Sequence, residues 1–321
     1  MDVTVLMSVY NSEKYLKEAI RSILNQTYRD FEFIIIDDGS SDNSRDIIEQ
    51  FAAEDPRIVF VKNHQNMGLG ASLNRGIKLA SGKYIARQDA DDLSAPNRLS
   101  VQLKHALENQ EVDIIGSDCY EIDIYDNIIF ENRHHSAQND FMGNLLSRKG
   151  IFAHGSAFLK KDKLLEVGLY DSRFYFTQDI ELWLRLISNG AKVHIMNQLL
   201  YSYRRAPSFN PKRNPAKDSY NKVLHMMYVQ KESAKVIDLE LQHIQQYLSG
   251  LNGHQQPYAM ANYWKSLGNV TYMQNCPKRK TYQYIYKAFR EKNPLMNYPK
   301  FLLLGLVYLL PPGLVRSFMI H

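Results

Sequence analysis

Two stretches decide the fold: FEFIIIDDGSSD (Phe31–Asp42) and NMGLGASLNRGIKLASGKYIARQDADD (Asn66–Asp92). In the first, the run Phe31–Asp37 is almost continuously apolar, as expected of a strand buried on both faces, and it stops at a pair of aspartates and a glycine. The second carries a helical period around Gly70–Ala80 and a short strand over Lys83–Arg87, and stops at Gln88-Asp89-Ala90-Asp91-Asp92. Upstream, VTVLMSV (Val3–Val9) reads as a strand. The stripe Tyr15, Leu16, Ala19, Ile20, Ile23 and Leu24 reads as a helix with Ser12 as its N-cap. A helix around Ser44–Ala53 and a strand Ile58–Val61 fill the gap. Pro96 suits the first turn of a helix through Leu99, Leu103 and Leu107, and a strand Asp113–Gly116 closes the series. The alternation implies an α/β fold, mainly a parallel sheet with helices on both faces.

After residue 120 the pattern loosens. Strand-like runs occur at Asn127–Glu131, Ser156–Leu159 and Lys192–Ile195, with helices near Asn139–Leu146 and Ile180–Ser188. The stretch 204–220 holds three prolines and five basic residues and reads as a linker. The expected organisation is a sheet domain over 1–205, a linker over 206–220 and a helical, basic C-terminal region over 221–321.

In such sheets ligands bind at the carboxyl ends of the strands. There the chain places Ser8-Val9-Tyr10-Asn11, then Asp37-Asp38-Gly39-Ser40, then Asp89-Ala90-Asp91-Asp92, so five carboxylates converge on one rim. Their mutual repulsion and desolvation amount to several kcal/mol unless cations or donors offset them. Hard oxygen donors select Mg²⁺ or Mn²⁺ over zinc, and an ion held by one or two carboxylates completes its shell with phosphate oxygens. A diphosphate ligand is expected. Taken singly, each aspartate has a structural reading as a turn or cap residue.

These motifs, with HGSAFLKK (His154–Lys161) and FTQDIELWLRL (Phe176–Leu186), resemble family 2 glycosyltransferases of the GT-A fold over residues 2 to 205. The resemblance implies that Tyr10 stacks on a nucleobase, Ser8 lines its pocket and Asp38 accepts from a base N–H, which favours uracil or thymine. It makes Asp91 a metal ligand and assigns Asp89 to the ribose or to the metal's shell. Asp179 becomes the base, preceded by Gln178 where the family more often has Glu. His154 and Trp183 fall on the acceptor side, and Arg204 is carried towards the pyrophosphate. Asp92 is assigned either to this site or to capping the next helix. The implied activity is inverting, metal-dependent sugar transfer from a UDP- or dTDP-linked donor to a glycan, lipid-linked in the family's pattern, for surface polysaccharide.

Two other readings stand beside it. Gly68-Leu69-Gly70, followed by Asp89, has the look of a dinucleotide fingerprint and would fit an oxidoreductase, but Leu73 occupies the third glycine position. A catalytically idle sugar-nucleotide-binding scaffold is the other, and the costly acid cluster argues against it.

Charge divides the chain. The first 220 residues carry 27 Lys and Arg against 30 Asp and Glu, and the remainder 12 against 4. An acidic front disfavours nucleic acid as partner, whereas a basic tail beside the apolar run Phe301–Leu310 fits an anionic membrane surface. That run is shorter than the roughly twenty residues of a helical span. Met1-Asp2 leads straight into an apolar run with no basic n-region, so a cytoplasmic location at the inner membrane face is expected. Two cysteines are too few for a disulfide scaffold.

Overall fold

The computed structural model describes residues 1–134, 139–147, 151–205, 215–249, 283, 284 and 287. Its elements run β1 (Val3–Val9), α1 (Glu13–Leu24), β2 (Phe31–Asp37), α2 (Ser44–Glu54), β3 (Ile58–Lys62), α3 (Leu69–Leu79), β4 (Tyr84–Asp89) and β5 (Leu93–Ser94). They continue with α4 (Arg98–Glu108), β6 (Ile114–Ile122), β7 (Ile128–Asn132), α5 (Phe141–Ser147), β8 (Phe158–Lys160), α6 (Lys161–Glu166), α7 (Gln178–Ser188) and β9 (Val193–Arg204). Then come α8 (Pro215–His225), a π-helical turn at Met226–Gln230 and α9 (Ala234–Ser249).

The sheet order is β3-β2-β1-β4-β8-β6-β9-β5, with β7 paired to β6. Side-chain alternation divides the core between the two faces. Val3, Val5, Met7 and Val9 face α1, α2 and α4 through Ile20, Ile48 and Leu99. Leu6, Ile34 and Ile36 face α3 and α7 through Leu73, Ile77, Leu182 and Leu184. Helices thus cover both faces, as the sequence pattern requires.

The register sets the rim. β1, β2 and β4 are parallel, with Ser8 opposite both Ile36 and Asp89, and Val9 opposite Asp37. The three strand ends that carry polar motifs therefore finish side by side. Beyond β4 the sheet is not the parallel continuation expected from alternation. Three-residue β8 lies antiparallel between β4 and β6, so the strand near 114 is separated from β4 by a segment over forty residues later in sequence. So short a strand is held by its two neighbours rather than by its own pattern.

Local expectations also shift. Ser12 makes no capping bond to α1; its backbone N–H donates to Ser44 Oγ, and the Glu13 N–H is met by Asp42. Helix α4 starts at Arg98 behind Asn97, leaving Pro96 outside it. Within the expected linker, Pro215–Tyr220 form the first turns of α8, and Tyr220 is fully buried. Residues 206–214, and the apolar run Phe301–Leu310 with its basic flank other than Tyr284 and Lys287, lie outside the described residues.

By contact density the chain forms two units. The first comprises Met1–Tyr120, Glu131–Arg204 and Pro215–Leu251 and contains both faces of the sheet core. Helices α8 and α9 join that core through Tyr220, Leu224, Ile237 and Leu241. The second comprises Glu121–Phe130, Arg205–Asn214 and Asn252–His321. There Asp123 Oδ1 accepts from the Tyr125 and Asn127 N–H groups, and Arg205 pairs with Glu121.

Candidate active site

At the rim lies an open cleft of about 320 Å³, lined by residues that include Ser8, Tyr10, Asp38, Gly68, Asp89, Asp91, Tyr175 and Gln178. Its β1 and β2 side is tied together by its own loops. Asn11, at φ +49°, accepts from the Ser41 N–H at 2.8 Å, and the Asn11 N–H donates to Ser40 Oγ. Gly39 has φ +75°, and a Cβ there would stand 2.7 Å from the Gln65 carbonyl carbon, so the Asp-Asp-Gly turn requires glycine. Asp37 accepts from the Ser40 N–H and from Arg45 Nε.

Asp38 is 2% exposed, and both its oxygens are engaged. Oδ1 accepts from Asn63 Nδ2 at 2.7 Å and the Met67 N–H at 2.9 Å, and Oδ2 from the Gly68 N–H at 2.9 Å. Its first task is thus to fold the 63–68 loop into a cleft wall. This also answers the dinucleotide reading, because the Gly68 amide that would face a phosphate is spent on Asp38. Tyr10, by contrast, is 49% exposed on the cleft wall.

The β4 side is built differently. Arg87, in the middle of a buried strand, is 1% exposed. Its Nη2 donates to Asp89 Oδ1 at 2.6 Å and its Nη1 to the Gln88 carbonyl. Tyr201 Oη accepts from the Asp89 N–H at 3.2 Å. Asp91 receives no hydrogen bond from another described residue, and burial followed by the Asp89 charge pushes its carboxyl up to about 6. Asp92 does not cap α4. It is buried, its Oδ1 accepts from the Arg204 N–H at 2.7 Å, and burial with the two neighbouring aspartates holds its carboxyl well above the usual range.

The expectation for Arg204 needs correcting. It is 2% exposed, its Nε donates to the Asp91 carbonyl at 2.6 Å, and its guanidinium lies 4.2 Å over the Tyr15 ring. From that position it holds the Asp91 carbonyl and, through its N–H, the Asp92 carboxylate, and it is not among the residues that line the cleft. Trp183 is corrected as well. It is fully buried in α7, its indole edge-on to His154 at 6.0 Å, so in this structure it backs His154 and not the cleft surface.

His154 opens a single 3₁₀ turn before β8, and its Nε2 is 2.8 Å from Tyr170 Oη. Burial, then the Arg87 charge, pushes its imidazole down to about 4, with Asp179 and Asp89 pulling the other way. It is neutral at pH 7. Gly155 follows, where a Cβ would stand 1.8 Å from Tyr201 Oη and 2.7 Å from Asp89 Oδ2. The glycine at this turn is what lets it close over the Asp89 carboxylate.

Asp179 is the second residue of α7, and its carboxylate accepts no hydrogen bond among the described residues. It lies near enough to His154 and Tyr170 to act on both electrostatically, while its neighbour Gln178 lines the cleft. Of the residues expected from sequence, the cleft brings together Ser8, Tyr10, Asp38, Asp89 and Asp91, places Asp179 alongside, and leaves His154, Trp183 and Arg204 as supports. Arg87 and Tyr175 were missed. A lone arginine in an otherwise apolar strand, two residues before an aspartate, was the available signal for the first.

An acidic cleft at the parallel strand ends of a mixed sheet with helices on both faces is the arrangement of a GT-A type glycosyltransferase. The chain belongs to glycosyl transferase family 2, which matches residues 4–168. An uncharacterized glycosyltransferase of Methanocaldococcus jannaschii is 39% identical over 204 residues, covering 63% of this chain and 70% of that one. Among solved structures, S. aureus TarS 1-349 in complex with UDP-GlcNAc superposes with TM-score 0.60 at 15% identity, over 91% of this chain and 89% of that one. The mannosyltransferase PcManGT of Pyrobaculum calidifontis, in complex with GDP-Man and Mn²⁺, gives 0.51 at 17% identity, over 99% and 88%. At these identities the two structures show the fold. Among the described residues no helix is long and apolar enough to cross a membrane.

Proposed function

We propose that the chain transfers a sugar, with inversion, from a nucleoside diphosphate sugar to a glycan hydroxyl. The observation that carries this reading is the unpartnered Asp179 carboxylate on the first turn of α7, beside a cleft whose other wall holds Asp89 and Asp91. The acceptor O–H gives its proton to Asp179 as its oxygen attacks the anomeric carbon, and the bond from that carbon to the β-phosphate oxygen breaks. Tyr10 offers a face to the base. Three of the roughly four acceptor sites on Asp38 are filled, leaving about one for a base N–H. That remainder suits UDP or dTDP.

The donor set fits a hard divalent cation. Asp89 and Asp91 are oxygen donors on the cleft wall, and burial followed by the Asp89 charge raises the Asp91 carboxyl, a cost that a bound cation would relieve. In this reading an ion held by these two carboxylates would complete its shell with substrate phosphate and water. Bound there, Mg²⁺ or Mn²⁺ would neutralise charge developing on the departing diphosphate. Arg87 holds Asp89 in place, and Arg204 holds the Asp91 carbonyl and the Asp92 carboxylate.

The wider setting in this reading is a lipid-linked glycan acceptor and surface-polysaccharide synthesis at the cytoplasmic membrane face; the basic, apolar residues after 277 support the membrane attachment. The test is calorimetric binding of UDP, GDP, dTDP, CDP and NAD with and without Mn²⁺. Tight binding of one diphosphate only with metal, weakened by Asp91→Ala, supports the reading. Metal-independent NAD binding favours the oxidoreductase, and no binding at all removes the enzyme reading.

A further inference from the structure

Tyr175 is an aromatic on the cleft wall that the transfer mechanism leaves unused, and it is 61% exposed. Its neighbours are not: Phe174 is 2% exposed, and Phe176 is half-buried with its ring edge-on to Tyr175 at 4.8 Å and 86°. The loop that presents the ring is clamped. Arg173 pairs with Asp171 at 2.7 Å and reaches Asp238 of α9 at 2.5 Å, and Tyr220 of α8 donates its hydroxyl to the Arg173 carbonyl at 2.9 Å. A large ring held rigid by its backbone and left facing water is a preformed platform, since little ordering entropy remains to be lost when a ligand lies on it.

Three residues on, Gln178 lines the same cleft, and its Oε1 is buried with no partner among the described residues. Most buried polar atoms in folded proteins are bonded, so this oxygen is free to accept from a hydroxyl of a ligand in the cleft. An apolar flat face beside an amide is the chemistry that reads a sugar ring. The C–H face of a pyranose packs on the phenol, and ring hydroxyls exchange hydrogen bonds with the amide.

We propose that Tyr175 and Gln178 form the subsite for the acceptor sugar ring. The inference rests on the transfer reading above, with Asp179 as base. The hydroxyl that loses its proton must lie against Asp179, and Tyr175, Gln178 and Asp179 share one loop–helix junction. The nucleoside end is marked instead by Tyr10 and Asp38, on the β1 and β2 loops. Neither side chain of the pair is charged, which suits a neutral sugar.

The experiment uses the full chain and follows nucleoside diphosphate release. The donors are UDP-GlcNAc, UDP-glucose, dTDP-glucose and GDP-mannose. The acceptors are octyl glycosides of glucose, galactose, mannose and N-acetylglucosamine. Tyr175→Ala is expected to raise the half-saturating glycoside concentration at least tenfold more than that of the donor, with Tyr175→Phe and Tyr175→Trp within threefold of wild type. Gln178→Ala should raise the same ratio about fivefold. Equal effects on donor and glycoside, or none on either, overturn the subsite. So does a chain that releases diphosphate but is accelerated by no glycoside. Release from no donor at all overturns the transfer reading itself, which separates the two failures.

Discussion

The carboxylates at the end of β2 and those at the end of β4 are the same residue type on neighbouring parallel strands, yet they live in opposite conditions. Asp37, Asp38 and Asp42 are engaged mainly by protein donors: an arginine, an asparagine and the backbone N–H groups of Glu13, Ser40, Ser44, Met67 and Gly68, with about one acceptor site of Asp38 left over. Asp89 has one arginine, and Asp91 has no bond from another residue's side chain. Asp179, across the cleft, accepts nothing among the described residues. One group of acids folds the loops; the other is left with unfilled acceptor capacity, facing the place where a ligand would sit. A buried charge without partners is expensive, so where a fold keeps one the compensation comes from outside the chain.

The sharpest way to break this comparison is at Asp179. Asp179→Asn keeps the shape and removes the base, and a general base contributes about 10²–10⁴-fold. Turnover should fall by about 10³ with calorimetric donor affinity held within a few fold. Full turnover in the variant would return Asp179 to a structural role.

Asp38→Ala tests the other side. It strips a buried asparagine amide and two backbone N–H groups of their acceptor, and the expected cost is about 2–4 kcal/mol in chemical denaturation. The melting temperature should drop by several degrees even without ligand. A variant that stays as stable as wild type but loses nucleotide binding would make Asp38 first a ligand-facing acid like those of β4, not a loop former with one acceptor site to spare.

Gly155→Ala comes next, because a methyl group would collide with Tyr201 Oη and press on Asp89 Oδ2. Overpacking of this kind costs about 1–3 kcal/mol. Since the pressure falls on Asp89, the loss should appear as weaker Mn²⁺-dependent donor binding as well as a lower melting temperature. A destabilised variant with wild-type donor affinity would show that the turn and the acid are independent.

How much of this was legible follows the same division. Strands β1, β2 and β4 and helices α1 to α3 were readable because each buries its own apolar pattern, and the parallel order came with the alternation. The insertion of β8 was not, since three residues carry no period and its partners are set by non-local pairing. The acids could be located, but nothing in Asp-Asp-Gly-Ser or Asp-Ala-Asp-Asp says which would be saturated; that depends on Asn63, Met67 and Gly68 meeting Asp38. Trp183 was placed on the acceptor side because a helix stripe does not declare which of its residues face a ligand and which the core. Tyr175 was passed over because it sits in an aromatic run, Phe174-Tyr175-Phe176, whose middle member alone turns outward.

The smallest effect is the most direct test of the contrast, because it reverses the usual sign of a mutation. An Asp with its folded carboxyl at about 6 binds a proton in the native chain that the unfolded chain, at the ordinary value near 3.8, has already released. Between these values the native state holds more protons, so stability falls as pH rises, and above about 6 the full cost remains. Asp91→Asn removes the charge with little change in shape. In chelator-treated protein it should therefore be more stable than wild type at pH 8, by about 1 kcal/mol once solvent screening at the open cleft is allowed for. The gap should narrow as the pH is lowered towards 5. The same substitution at Asp38, whose charge is matched by donors, should lower stability at pH 8. If Asp91→Asn also lowers the melting temperature at pH 8, the β4 acids are held by the protein as firmly as those of β2, and the contrast between the two rims collapses.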